Sequence, residues 1–408
     1  MRIKNCRNCK EKKLEDLFSL GKLCYSGFFP QRENINVEKK KLSLIKCTSC
    51  NLVQLGQNFN PKKLYSQNYG YRSGINLTMR NHLKKIVESI KKIVNLKKND
   101  FVLDIASNDG TLLKYYPKNV KKVGCDPILN KFKKFYSSID YKVSDFFSQK
   151  KIIDIVGNKK KFKIITAIAV FYDLKNPNKF LKDIYNLLSD DGVFVLEMAD
   201  LYKILKNTMF DTICHEHLEY YSCDVIINMA LKNGLRVFDI EYNSSNGGSA
   251  RFYICLNNSS YKTKKRKIFK FLTNEKRAGL KKKKTYLNFF EKINKNKVEL
   301  IKLFKKLKKE KKTIFGYGAS TKGNILLEYF GITRKYLDYI AERNPEKFGK
   351  FTPGDKIPII SEEKAYNLKP DYYLVLPWHF KNEILARERD NIKKGAKFIF
   401  PLPKLKIY

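Results

Sequence analysis

The chain reads as an α/β protein, with a small metal-binding unit at its N-terminus and two Rossmann-like sheets behind it. Three observations lead there. Cys6, Cys9, Cys47 and Cys50 form two C-x-x-C knuckles near the N-terminus. From residue 101 short apolar strands alternate with amphipathic helices, the rhythm of a parallel sheet wrapped by helices. The same rhythm returns over 313–408. A length of 408 residues leaves room for two or three domains, each with its own core.

The units are expected at 1–65 (metal), 66–260 (first α/β domain), 261–312 (helical linker) and 313–408 (second α/β domain). In the first, CRNCK…SLIKCTSCNLVQLG reads as short strands and turns around an ion. Four thiolates in C-x-x-C pairs close a tetrahedral Zn²⁺ site with no open position, so the metal is expected to be structural. The long insert 10–46 departs from strict zinc-ribbon spacing, and reactive or redox cysteines are the alternative. Residues 61–98 are expected to be helical, because NHLKKIVESIKKIVNL carries apolar residues at helical spacing.

In the next unit FVLDIAS is a buried strand, SNDG a turn and TLLKYY a helix start. KKVGCDP and KFKIITAIAVF are strands, FLKDIYNLLSDDG is a helix ending at Gly192, and VFVLEMA is a strand. A strand pair is expected around NGGSARFYICL. Residues 262–312 hold no Pro and one Gly, Gly279, and suit a helix or helix pair with lysines on the wet face. The last unit runs TIFGYGAS, the helix NILLEYF, then YLDYIAE, DYYLVLPW and KFIFPLP.

The net charge of +43 comes from 83 basic residues, mostly Lys, spread along the whole chain. Dispersed lysines fit solvated faces better than a nucleic-acid surface, which needs clustered cations interleaved with stacking aromatics. A diffuse positive field still draws in phosphorylated substrates. No apolar run reaches the roughly 18 residues of a membrane span, and the N-terminus has no apolar signal segment. Nine cysteines, an odd number, fit a reducing compartment with one metal site. A cytoplasmic enzyme, monomeric or weakly dimeric, is the expectation.

Three motifs carry chemistry. In VLDIASNDGTLL, Asp104 ends a strand and a turn through Ala106 and Asn108 reaches Gly110. Asp126 ends the next strand, where α/β sheets place a ribose-binding carboxylate, and Asp145 follows a further one. The turn lacks G-x-G-x-x-G, and the ordered aspartates resemble those of the class I S-adenosylmethionine (SAM) methyltransferases. A Rossmann-like sheet for another nucleotide is the alternative. FGYGASTKGN follows a strand and opens a helix, so its amides and Lys322 suit an anion; a packing turn is the other reading. DTICHEHLEYYS holds two of the four histidines, His215 and His217, around Glu216. This suits proton transfer. The i,i+2 spacing equally allows two metal ligands on one strand face, or structural histidines. His82 is expected on a surface helix and His379 in a turn.

The succession of knuckles, VLDIASNDGTLL, HEHLEYYS, NGGSAR, GYGASTKGN, AERNPEKFGKFTPGDKIPI and VLPWHF resembles the sugar C-methyltransferases that act on nucleotide-linked 4-keto-deoxysugars. The resemblance covers essentially the whole chain. It implies SAM and a structural Zn²⁺, and a C-terminal domain that closes over a nucleotide-sugar, expected to be dTDP-linked. It also implies a base that removes the proton beside the ketone, after which the enolate carbon attacks the sulfonium methyl. The family's Glu-His pair falls on Glu216 and His217, with His217 as base and Glu216 orienting or polarising it. Tyr71 in NYGYRSG matches a family tyrosine. His215, Tyr220, Arg251, Lys322 and Asn324 are the expected sugar-side contacts. Two positions depart from the pattern: Ala106 stands where many members have Gly, and Cys214 where some carry Tyr. A methyltransferase acting on RNA or another small molecule, and a non-catalytic nucleotide-sugar binder, are the rival readings.

Overall fold

The computed structural model describes residues 2–65 and 71–408; residues 66–70 of the expected helical stretch, and of NYGYRSG, lie outside them. Three sheets organise the chain. The first contains β1 (Leu14–Cys24), β2 (Lys39–Cys47), β3 (Val53–Leu55) and β9 (Glu219–Tyr220), in that order and antiparallel throughout. The insert 10–46 is therefore a long hairpin that supplies half the metal-side sheet, where short strands and turns were expected. Its distal part, from the end of β1 onward, docks on the C-terminal unit. Cys24 N–H donates to the Glu328 carboxylate (3.0 Å), and Phe351 N–H donates to the Pro30 carbonyl (2.9 Å).

The second sheet contains β4 (Phe101–Ile105), β5 (Lys121–Cys125), β6 (Tyr141–Val143), β7 (Phe162–Ile168), β8 (Leu188–Ala199), β10 (Leu235–Asn243) and β11 (Ser249–Leu256). The order is β10-β11-β8-β7-β4-β5-β6, with only β11 running against its neighbours. That is the Rossmann-like sheet of a class I SAM methyltransferase. The central strands are buried on both faces, which is why they read as unbroken apolar runs.

Two local expectations need correction. TLLKYY makes only a 3₁₀ turn at Leu113–Tyr115. Pro117 follows, and the residue before a proline is driven out of the helical region, as Tyr116 is at ψ 152°. The helix Pro177–Leu187 stops short of Gly192, because Leu188 already pairs with Phe162 in the sheet.

The 262–312 segment is a helix pair, Lys265–Ala278 and Lys283–Lys309. Gly279 breaks it in the left-handed conformation (φ +69°) that only glycine adopts without cost. The third sheet contains β12 (Ile314–Tyr317), β13 (Ile340–Glu342), β14 (Ile359–Ser361), β15 (Tyr372–Val375), β16 (Lys397–Phe400) and β17 (Lys406–Ile407). Its order is β14-β13-β12-β15-β16-β17, parallel except for β17. A continuous apolar core joins residues of all three sheets. Among the described residues no helix is long and apolar enough to cross a membrane.

Candidate active site

The Sγ atoms of Cys6, Cys9, Cys47 and Cys50 lie within 4.8 Å of one another, with Cys6–Cys50 at 3.6 Å and Cys9–Cys47 at 3.5 Å. A tetrahedron with Zn–S bonds near 2.3 Å needs edges of about 3.8 Å, so the set fits the ion after a small adjustment. All four are sulfur, which leaves no position for water or substrate.

A cleft of about 630 Å³ opens where the carboxyl ends of the two Rossmann-like sheets face each other. Asp104, Ala106, Asn108 and Asp126 line its first wall. The turn from β4 is tight: Ala106 (φ +58°) and Asn108 (φ +52°) are left-handed, and so is Gly110 (φ +70°). Gly110 does not line the cleft. A Cβ there would meet Ile139 Cδ1 at 2.5 Å, so its role is to let the turn pack. Asp126 accepts from the N–H groups of Asn108 and Ile128, both at 2.8 Å, one on each oxygen. This fixes the carboxylate and leaves each oxygen a lone pair for a diol. Asp104 accepts from Thr166 Oγ1 (2.6 Å). Burial pushes Asp104 up to about 7 and Asp126 up to about 6. The turn and fixed carboxylate suit the adenosine end of SAM. Asp145 is a correction: its side chain is pulled down in pKa by Lys151 at 2.5 Å and lies outside the cleft, which Phe146 and Phe147 line instead.

The middle of the cleft belongs to the HEH segment. His217 lines it beside Glu216 and Cys214. His217 Nδ1 lies 2.8 Å from the Thr212 carbonyl. A carbonyl only accepts, so Nδ1 carries the proton and Nε2 keeps its lone pair. The ring packs on Tyr172, centroids 4.1 Å apart. Burial and the Lys322 charge lower its pKa to about 3, so it is neutral at physiological pH. Glu216 does not orient it, contrary to expectation, since Thr212 occupies Nδ1. The Glu216 carboxyl instead receives Ser26 Oγ (3.4 Å) from the hairpin, keeps Oε1 unpartnered, and is raised in pKa by burial.

Several other positions are also corrected. His215 is fully buried between Tyr25 and Phe59, near the Lys40 carbonyl (3.3 Å), outside the cleft; the bend at 214–216 turns it away from His217. Tyr220 is buried on β9 and donates to the His217 carbonyl (3.0 Å). Arg251 pairs with Glu197 (2.7 Å), which also holds His82. Asn324 donates to the Ser26 carbonyl (2.7 Å). Each supports the cleft from behind, and none lines it.

The third wall is the C-terminal unit. Lys322, Arg343 and Lys347 line it, together with residues 318–321 of the glycine loop. The loop glycines are packing positions, since a Cβ at Gly318 would meet Pro377 Cδ at 2.7 Å and one at Gly323 would meet Leu376 Cβ at 2.7 Å. Lys322 Nζ donates to the Asn246 carbonyl (3.4 Å), and burial lowers its pKa. Tyr71 lines the cleft at its mouth and is half exposed. Sequence reasoning missed Asp173, whose carboxyl lines the cleft and accepts from Tyr65 OH (2.6 Å). It also missed Asp211, which accepts from Trp378 Nε1 (2.8 Å). No spacing signal marks either one. His379 also lines the cleft, with its Nδ1 unpartnered.

Three family models match the chain in succession: a zinc binding domain over 6–65, a methyltransferase domain over 78–240, and the C-methyltransferase C-terminal domain over 244–403. The C-methyltransferase NovU of Streptomyces niveus is 27% identical over 408 residues, covering 99% of this chain and 97% of its own. Among solved structures, a SAM-dependent methyltransferase from Clostridium acetobutylicum ATCC 824 is 16% identical and covers 43% of this chain and 92% of its own, with a TM-score of 0.35. The PH0226 protein from Pyrococcus horikoshii OT3 is 16% identical, covers 49% and 100%, and scores 0.37. The models, the full-length relative, the four-cysteine cluster and the seven-stranded sheet agree, and the chain belongs to the SAM-dependent C-methyltransferases built from a zinc-binding, a methyltransferase and a C-methyltransferase C-terminal domain.

Proposed function

We propose that the cleft C-methylates a nucleotide-linked 4-keto-deoxysugar, expected to be dTDP-linked, at the carbon beside the ketone, with His217 as the base. When bound, SAM supplies an electrophilic methyl group. Asp126 and the turn 106–110 would hold its adenosine end. His217 Nε2 takes the proton from the acceptor carbon, and the ring can do so because Thr212 holds the other nitrogen protonated. Lys322, Arg343 and Lys347 would face the diphosphate. Burial first, and then the Lys322 charge, keep His217 uncharged in the free enzyme and make it a weak base. An anion bound beside Lys322 removes the second of these contributions and raises the basicity of His217 in part when substrate is present.

What supports this reading most is a neutral histidine with a free Nε2, on a cleft also lined by the turn after β4 and by Lys322, Arg343 and Lys347. The nine free cysteines fit a cytoplasmic setting. The test is His217→Ala with a dTDP-4-keto-deoxysugar. Turnover should fall by about 10²- to 10⁴-fold. Solvent deuterium exchange at the acceptor carbon should vanish, with SAM affinity by calorimetry unchanged. His379→Ala is the control, because it also removes a cleft imidazole. Near-wild-type turnover in His217→Ala, or loss of exchange in His379→Ala instead, would show the base to be elsewhere.

A further inference from the structure

One buried side chain ties the first knuckle to the segment that bears His217. Arg7 stands between the cysteines of the first knuckle and is buried. Its Nη1 donates to the Leu55 carbonyl (2.7 Å) and to Gln54 Oε1 (3.2 Å), and lies 3.5 Å from the Leu218 carbonyl. Nη2 donates to the Gln57 carbonyl (2.6 Å) and Asn58 Oδ1 (2.8 Å), while Nε sits 3.5 Å from Glu219. Gln54 also donates to Cys6 Sγ (3.3 Å), and its backbone pairs with Glu219 across β3 and β9.

Leu218 is the residue after His217. Its N–H donates to the Tyr172 carbonyl (2.7 Å), and its carbonyl accepts from Leu55 N–H (2.8 Å). Tyr172 is also the ring that packs on His217. The backbone beside the histidine is thus clamped between the cleft wall and the metal-side sheet, with the guanidinium at the junction.

We propose that Arg7 is a positioning residue for catalysis: its guanidinium fork fixes the backbone at Leu218 and so sets the ring of His217 in the cleft. This rests on the reading of His217 as base. Burying a cation costs several kcal/mol unless its partners are well placed. A charge needed only to balance Glu219 could be a lysine. The fork instead spans three carbonyls, at the end of β3, in the loop after it and just before β9, which a point charge cannot do.

The experiment uses the full-length, zinc-loaded chain as Arg7→Lys, which keeps the charge and loses the fork. Zinc content and SAM affinity should match wild type, and KM for the sugar nucleotide should change little. kcat should fall by about 10- to 100-fold, the size of effect that a small misplacement of a reacting group produces. The acid limb of the kcat–pH profile should move toward neutrality as water reaches the ring. Amide exchange over 212–220 should quicken, with β4 and β7 unaffected. If Arg7→Lys does not fold, Gln54→Leu, which removes the carboxamide between Cys6 and Arg7, is read for the same outcomes. Wild-type kcat with an unmoved acid limb overturns the proposal, as does a loss of kcat that tracks loss of zinc or of SAM binding. His217→Ala run in parallel separates the two readings. If it keeps turnover, the base assignment has failed by itself. If it abolishes turnover while Arg7→Lys keeps it, only the positioning role has failed.

Discussion

His215 and His217 stand two residues apart with opposite fates. His217 keeps a lone pair on the cleft, whereas His215 is packed between Tyr25 and Phe59 and its pKa is lowered by burial to about 4. Between about 6.5, the unfolded value, and 4 the unfolded chain binds a proton that the folded chain refuses. His215 therefore supports the fold fully above that window and costs stability as pH falls through it. Replacing it should flatten this loss: in His215→Phe, the drop in unfolding free energy between pH 7 and pH 5 should shrink by up to about 2 kcal/mol. Urea midpoints at the two pH values measure this, and an unchanged drop would mean that His215 is hydrated. Residue chemistry alone did not rank the two histidines; the family resemblance singled out His217. An i,i+2 spacing would put both on one face of a strand, but the chain bends at 214–216 and the two rings part.

At the scale of elements, β9 changes the account of the metal. It is only two residues long, comes from the methyltransferase part of the chain, and completes the sheet that the knuckles anchor. Zinc loss should therefore loosen more than the N-terminus. Wild-type protein should hold about one Zn per chain. Chelation or Cys47→Ser should lower the thermal midpoint and expose β9 to amide exchange before the central strands β4 and β7 open. A metal-free protein that melts unchanged would remove the structural role. The long strands and the Gly279-broken helix pair were legible because period and punctuation mark them. The hairpin was misread because its insert carries mixed polar residues, whose strand character comes from pairing between β1 and β2.

At the scale of the molecule, the cleft exists because three units close on one segment. Trp378 in the C-terminal unit donates to buried Asp211 in the HEH stretch, and Cys24 in the hairpin is held by Glu328. Trp378→Phe would leave Asp211, whose other oxygen is already unpartnered, without that donor. It should cost about 1–3 kcal/mol of stability. It should also raise KM for the sugar nucleotide more than the Kd for SAM, because the lost bond spans the substrate side. Calorimetry with each ligand decides, and a change confined to SAM would place the contact's effect on the other wall. The sequence by itself determined the order of units, the cysteine set, the turn after β4 and, through the family resemblance, the segment that bears His217. Those are local features, read from spacing, period, residue chemistry and motif resemblance. Only the tertiary structure decided that Arg251, Tyr220, Asn324 and His215 stand behind the cleft while Asp173 and His379 face it. Which side of a residue meets the cavity depends on how separate sheets pack, and no local pattern carries that information.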